Sequence, residues 1–258
     1  MNHRRHGVKV RRKGVSNKYY KTGEQRAALV GTLFGALAPR YDLINDLQSL
    51  GLHRRWKRLL AGMAEVKPGQ KALDLCCGTG DIAFALHRAG AEVVGLDFSP
   101  AMLAVARERA RKLHVRADAP SLQFMTGDVL HIPYGAASFD IVSIGYGLRN
   151  LESWERGLEE MARVARPGGR LLALDFGKPE GRLWRRLFFF YLRTVVPLLG
   201  KVFCRDAAAL AYIYDSLQAY PAQDEVAGKM ASLGCREVRV RQLLGGAMSI
   251  HSGVKMDG

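Results

Sequence analysis

Three aspartates stand at or near the ends of short apolar runs, where a carboxylate can serve a ligand. Asp74 lies in Ala72-Leu-Asp-Leu-Cys76, Asp97 closes Glu92-Val-Val-Gly-Leu-Asp97, and Asp128 follows Leu122 to Thr126 in Gly127-Asp-Val129. Between the first two runs comes Gly78-Thr79-Gly80-Asp81. Glycines lack a Cβ, so the backbone can come close to a ligand and open a helix without a clash. An acid at the end of the next strand can accept two hydrogen bonds from ribose hydroxyls. A carboxylate after the third strand can take an adenine amino group. The set points to an adenosine-bearing ligand. Gly78 to Ala83 also satisfies G-x-G-x-x-A, with Asp97 19 residues after Gly78, which fits a nicotinamide dinucleotide. Asp74, four residues ahead of the first glycine, leans the other way. A methyl donor with a cationic sulfonium and an amino-acid end calls for carboxylates and backbone groups, and it has no pyrophosphate for a helix N-terminus to hold.

These residues need a scaffold that brings successive strand ends together. Apolar runs at 72–76, 92–97, 122–126, 139–144 and 170–176 predict strands. Helical patterns over 81–88, from Pro100 to about Val115, and from Trp154 to Ala165 fall between them, with Ser99 as N-cap and Pro100 at the first helical position. Such alternation implies an α/β fold with a parallel sheet and helices on both faces. A helix over 223–233, a strand over 237–242, a turn at Gly245-Gly246 and a last strand over 247–254 read as a C-terminal hairpin element. We expect one domain over 22–258, with a helical cap at 22–70 and an aromatic helical insertion at 177–222, preceded by a basic, disordered tail at 1–21.

The chain has 258 residues and a formal charge of +15. Eight Lys and Arg precede the first acidic residue, Glu24, leaving +7 on the remainder. The excess calls for an anionic partner: nucleic acid, an acidic membrane surface or a phosphorylated ligand. The Arg-rich start also has the composition of an organellar presequence, although a solvated extension is the plainer reading. Four cysteines exclude a disulfide-dense scaffold, and Cys76-Cys77, Cys204 and Cys235 lack structural-zinc spacing. No metal is expected. The most apolar stretch, Leu183 to Phe203, is cut by Arg185, Arg186, Arg193, Pro197 and Lys201, whereas a spanning helix needs about 20 apolar residues in succession. It reads either as a buried helix or lid, or as a surface that touches lipid or holds a greasy substrate.

Several longer stretches narrow the match. Tyr41-Asp-Leu-Ile-Asn-Asp46 is followed by Ser49-Leu-Gly-Leu-His53-Arg-Arg-Trp56-Lys57, and Gly145-Tyr146-Gly147-Leu-Arg149-Asn150 follows the fourth strand. Arg163 to Arg170, Tyr212 to Ser216, Tyr220-Pro221 and Ile250-His251-Ser-Gly-Val-Lys255 complete the set. Together they resemble the ubiquinone/menaquinone biosynthesis C-methyltransferases, from about Thr32 to Lys255. The resemblance implies a Rossmann-like class I methyltransferase fold: a mostly parallel seven-stranded sheet closed by an antiparallel hairpin. It implies S-adenosyl-L-methionine as methyl donor, with S-adenosyl-L-homocysteine as product, and a prenylated quinol as acceptor. Carried over, the cofactor-binding residues would be Tyr41, Asp74, Gly78, Thr79, Gly80, Asp97, Met102, Asp128, Val129 and Gly145, with Tyr146, Arg149, Asn150 and His251 toward the substrate. Members often carry serine where this chain has Gly145.

Methyl transfer to a ring carbon needs that carbon held in line at about 3–3.5 Å and a neighbouring hydroxyl stripped of its proton. Arg149 would stabilise a quinolate oxygen and Asn150 would orient the other. Asp81 would accept a proton through water or fix Arg149, and His251 is a second candidate base. Because the basic residues concentrate in the tail, we expect no nucleic-acid partner. The expected setting is cytoplasmic, with peripheral contact to an anionic membrane surface; a homodimer is left open, as is the choice between naphthoquinol and benzoquinol, with demethylmenaquinol favoured.

Overall fold

A computed structural model describes residues 31–32, 34–113, 121–204 and 207–256. The basic tail expected at 1–21 lies outside the described residues, as does the end of the helix expected to run to Val115.

Seven strands form one sheet: β1 (Lys71–Leu75), β2 (Glu92–Asp97), β3 (Leu122–Thr126), β4 (Phe139–Gly145), β5 (Ala165–Phe176), β6 (Cys235–Leu243) and β7 (Met248–Lys255). Their spatial order is β3-β2-β1-β4-β5-β7-β6. The first five pair in parallel, and β7 runs antiparallel to both β5 and β6. The mostly parallel sheet with its closing antiparallel pair is the architecture expected. Strand β5 starts earlier than expected, at Ala165, but its pairing with β4 jumps from Phe139↔Ala165 to Ile141↔Arg170, with Gly168 at φ +73° in the intervening bulge.

Before the sheet come α1 (Tyr41–Ser49) and α2 (Leu52–Met63). Within it lie α3 (Asp81–Arg88), α4 (Pro100–Lys112) and α5 (Trp154–Val164), each a crossover between parallel strands. Two further helices, α6 (Arg182–Leu199) and α7 (Ala207–Ala219), separate β5 from α8 (Gln223–Ser232). Ser99 caps α4 by accepting a hydrogen bond from the Met102 N–H at 3.4 Å, with Pro100 behind it as expected.

Two apolar layers cover the sheet. One side packs Leu73, Val142, Ile144 and Leu171 against α5 and α7. The other packs Ala72, Val93, Ile141 and Leu172 against α2, α3 and α4. Strands buried on both faces need near-continuous apolar sequence, which the runs at 72–75 and 139–144 supply. The strand order reverses between β1 and β4, where the carboxyl ends leave the crevice in which ligands of such sheets sit.

Candidate active site

The backbone is bent sharply where β1 and β4 end. Cys76 (φ +48°), Gly78 (φ +55°) and Gly80 (φ +90°) all take the left-handed region after β1, and Tyr146 (φ +60°) does so after β4. Non-glycine residues held there are costly and gather where a site needs them. Gly80 is needed for space as well: an added Cβ would stand 2.8 Å from the Phe84 ring.

Between these ends lies a cavity lined by Tyr41, Gly78, Asp97, Met102, Asp128, Val129, Gly145 and Asn150, among others. Asp97 accepts from the Gly78 N–H and the Ser99 N–H, each at 2.8 Å. These bonds aim its carboxylate across the glycine loop, and each oxygen retains capacity for a further donor. Burial pushes the Asp97 carboxyl up, while both N–H groups pull the other way. Asp128 caps the turn Val129–His131, accepting from the Leu130 N–H at 2.9 Å. The Asn150 Oδ1 is buried without a hydrogen-bond partner among the described residues. Unpaired buried acceptors are costly, and Asn150 lines the cavity, so a donor on a ligand would satisfy this atom. A Cβ added at Gly78 would meet Tyr41 alone, at 3.9 Å, so the loop leaves open space opposite that ring.

A second, larger cavity of about 630 Å³ adjoins the first and shares Phe34, Tyr41 and Tyr146 with it. Its walls are mostly apolar and come from α1, α2, α6 and α7: Ile44, Trp56, Phe188, Leu192 and Ile213 are representative. Arg149, Tyr146 and His53 are also in its lining. The Tyr146 hydroxyl is buried and unpartnered among the described residues.

Arg149 is 7% exposed and sits with its guanidinium 4.9 Å from the Phe176 ring. Its Nε lies 3.6 Å from Asp175 Oδ1, its backbone N–H donates to Asp175 Oδ2 at 3.1 Å, and Nη1 donates to the Tyr146 carbonyl at 2.8 Å. Asp175 escaped the sequence reading. It is the next-to-last residue of β5, as Asp74 is of β1, so the rule that found the other strand-end acids would have found it too.

Asp74, Thr79, Gly80, Asp81 and His251, all expected at the site, line neither cavity. Asp81 does not fix Arg149. It accepts from Lys57 Nζ at 2.8 Å and from Arg109 Nη2 at 2.7 Å. Burial would raise its carboxyl, but Lys57 and Arg109 outweigh burial and hold it well below the usual carboxylate range, which makes it a weak proton acceptor. His251 lines neither cavity; it is buried on β7, with Nε2 3.0 Å from the Gln223 carbonyl. Asp74 is 1% exposed and also lines neither. It accepts from the Ala83 N–H at 3.0 Å and from Ser143 Oγ at 2.8 Å, tying the start of α3 to β4 from beneath the loop. Thr79 is buried too, its hydroxyl donating to Asp42 at 2.9 Å.

The sequence profile of the ubiE/COQ5 methyltransferase family matches residues 20–255. Among similar proteins are a demethylmenaquinone methyltransferase of Paenarthrobacter aurescens, 38% identical over 91% of this chain and 89% of that one, and a ubiquinone/menaquinone biosynthesis C-methyltransferase of Stenotrophomonas maltophilia, 39% identical over 90% of this chain and 92% of that one. A solved structure of Haemonchus contortus phosphoethanolamine N-methyltransferase 2 in complex with S-adenosyl-L-methionine superposes with a TM-score of 0.57, at 16% identity, over 74% of this chain and 50% of that one. At that identity the likeness concerns the fold alone.

Proposed function

The chain belongs to the ubiE/COQ5 methyltransferase family, and from that premise we propose that it transfers a methyl group from S-adenosyl-L-methionine to a ring carbon of a prenylated quinol, demethylmenaquinol above all. It is a methyltransferase of quinone biosynthesis. The observation that carries the substrate class is the pairing of a cavity at the strand ends, which holds Asp97, Asp128 and Asn150, with an apolar one of about 630 Å³ across a shared wall of Phe34, Tyr41 and Tyr146.

The residues of the smaller cavity suit the methyl donor. Asp97 is placed for ribose hydroxyls, Asp128 and Val129 for the adenine end, Asn150 Oδ1 for an ammonium or hydroxyl donor, and Tyr41 for covering the donor opposite Gly78. S-adenosyl-L-methionine supplies an electrophilic methyl on a cationic sulfur, which leaves placement, charge stabilisation and proton removal to the protein. The larger cavity takes the quinol ring at its inner end and the first part of the prenyl chain among Trp56, Phe188 and Leu192. Arg149 is always charged, and Asp175 with the Tyr146 carbonyl fixes its guanidinium in advance. A quinolate oxygen beside it gains stabilisation from a charge already in place.

The open side of the larger cavity faces lipid in this reading. Leu183, Leu187, Phe190 and Leu198 are exposed along α6, with Arg182, Arg185, Arg186 and Arg193 exposed among them. Trp184, Leu187 and Val195 are at once exposed and part of the cavity wall. Among the described residues no helix is long and apolar enough to cross a membrane. A peripheral contact would let a polyprenyl chain pass between bilayer and site.

Methyl-transfer assays with chemically reduced demethylmenaquinone and with the matching demethylated benzoquinol test the proposal, read by product mass. One added methyl on the naphthoquinol, and none on the unreduced quinone, is the expected result. Failure to methylate either quinol overturns it.

A further inference from the structure

Nothing so far removes the proton that activates the ring, and Asp81 is held ionised by two cations. The larger cavity contains another titratable group. His53 is 2% exposed, lines that cavity from the first turn of α2, and places Nε2 2.9 Å from Asp46 Oδ1 at the end of α1. Its other ring nitrogen, Nδ1, is buried and has no hydrogen-bond partner among the described residues. Asp46 is itself fixed by Arg54, which donates Nε and Nη2 to its two oxygens, both at 2.7 Å. An ionised carboxylate accepts only, so Nε2 must carry the hydrogen of this pair and the neutral ring presents Nδ1 as a bare lone pair. An orienting acid and an imidazole whose second nitrogen is unpartnered, on a residue that lines the substrate cavity, form the arrangement in which a histidine takes a proton.

We propose that His53 is the general base of the reaction, its Nδ1 taking the proton from a quinol hydroxyl next to the carbon that is methylated. The inference rests on the quinol reading of the larger cavity. The O–H bond breaks and its electron pair flows into the ring. The adjacent ring carbon then forms a bond to the methyl, whose bond to sulfur breaks with the pair staying on sulfur. The carbon now carries both methyl and hydrogen. Loss of that hydrogen to water restores the aromatic ring as a phenolate, and His53 returns its proton to the oxygen. One proton is released to solvent for each methyl transferred, and no oxidant or reductant is needed.

The surrounding charges agree with a neutral, proton-accepting ring. Burial lowers the imidazole from its ordinary value and Lys57 on the same helix lowers it further, while Asp46 on α1 and Asp81 on α3 work in the opposite direction. Arg54 binds both oxygens of Asp46 and shares Oδ1 with His53, and Arg149, Tyr146, Tyr191 and Tyr212 line the same cavity. The net direction is downward, so the ring is uncharged at neutral pH and charges only under acid.

The test is His53→Gln in the full chain, since the glutamine amide can still donate to Asp46 but offers no base in place of Nδ1. Saturating turnover with demethylmenaquinol should fall by about 100-fold or more, the usual contribution of a general base. S-adenosyl-L-methionine affinity and quinol KM should stay within a few-fold. The acid limb of kcat against pH, set by His53 in the wild type, should vanish. A quinol bearing an electron-withdrawing group, ionised without help, should recover much of the lost rate. Wild-type turnover in His53→Gln, or an unchanged acid limb, overturns the proposal. Should that variant fail to fold, Asp46→Asn decides: loss of the carboxylate must move the acid limb to lower pH, and an unmoved limb overturns the assignment. Absence of methyl transfer by the wild type would instead count against the quinol reading itself.

Discussion

Arg149 and Asn150 are consecutive in the chain, share one short turn, and line different cavities: Arg149 the large apolar one, Asn150 the smaller one at the strand ends. Both reach back to the same atom, the Tyr146 carbonyl, at 2.8 and 2.9 Å. The strained Tyr146 backbone is thus held from two sides, and its ring forms part of the wall between the cavities. The motif works as a partition with one functional group on each face.

That division gives the two residues separable phenotypes. Replacing Asn150 by Ala removes an acceptor from the smaller cavity, so S-adenosyl-L-methionine binding should weaken by about 10-fold, the worth of one hydrogen bond to a charged donor, while quinol KM changes little. Titration calorimetry with the methyl donor and steady-state kinetics with the quinol distinguish the two. An unchanged donor affinity with a raised quinol KM would place Asn150 on the substrate instead.

Arg149→Ala should show the converse pattern and a stability cost besides. Loss of a preorganised charge at a developing oxyanion typically lowers turnover by about 100- to 1,000-fold, with donor affinity nearly intact. The substitution also leaves the Asp175 carboxylate buried without its cation, with only the backbone N–H groups of residues 149 and 176 as partners, and breaking a buried ion pair in this way typically costs about 3–5 kcal/mol. The double variant Arg149→Ala, Asp175→Asn should regain much of the melting temperature and none of the turnover. Full activity in either variant contradicts the role given to Arg149.

The strand-end aspartates and the glycine loop could be read from the chain because each sits at a position that the α/β alternation marks by itself. Asp97 and Asp128 needed only the rule that ligands gather at carboxyl ends of parallel strands. Pairings across the sheet or between helices left no such mark. Arg149 and Asp175 are 26 residues apart, and Asp81 meets Lys57 and Arg109 from 24 and 28 residues away. His251 was drawn toward the site by its place in a recognisable stretch, but pairing with Ala173 on β5 and the cover of α8 bury it elsewhere. His53 and Asp46 were legible as part of a motif and not as a pair: seven residues separate them, and their contact depends on the turn through Leu50 and Gly51, both at positive φ.

Asp74 makes a prediction about stability and pH. Burial pushes its carboxyl up to about 7, against the hydrogen bonds from Ser143 and Ala83. In the unfolded chain the group returns to its ordinary value of 3.8. Between those values the folded protein keeps a proton that the unfolded chain has released, so this group makes folding less favourable as pH rises from about 4 to about 7. Asp74→Asn cannot ionise. Its melting temperature relative to wild type should therefore rise between about pH 5 and about pH 7.5. A difference that stays flat or narrows in that interval contradicts the buried, proton-holding carboxyl.

The exposed face of α6 predicts where the enzyme works. Its apolar residues alternate with arginines, and the same helix lines the cavity that would take the prenyl chain. Each basic residue near an anionic bilayer is worth about 1 kcal/mol, so replacing Arg185, Arg186 and Arg193 together with Gln should weaken binding to vesicles rich in anionic lipid by about 100-fold, or less where salt screens the charges. Zwitterionic vesicles should show little change. Turnover of a quinol with a short, water-soluble side chain should survive the substitutions, because Arg149 and the cavity floor are untouched. Turnover of a long-chain quinol embedded in anionic vesicles should fall with binding. Equal losses on both substrates would point to damage inside the cavity, and wild-type binding that ignores anionic lipid content would remove α6 as the docking face.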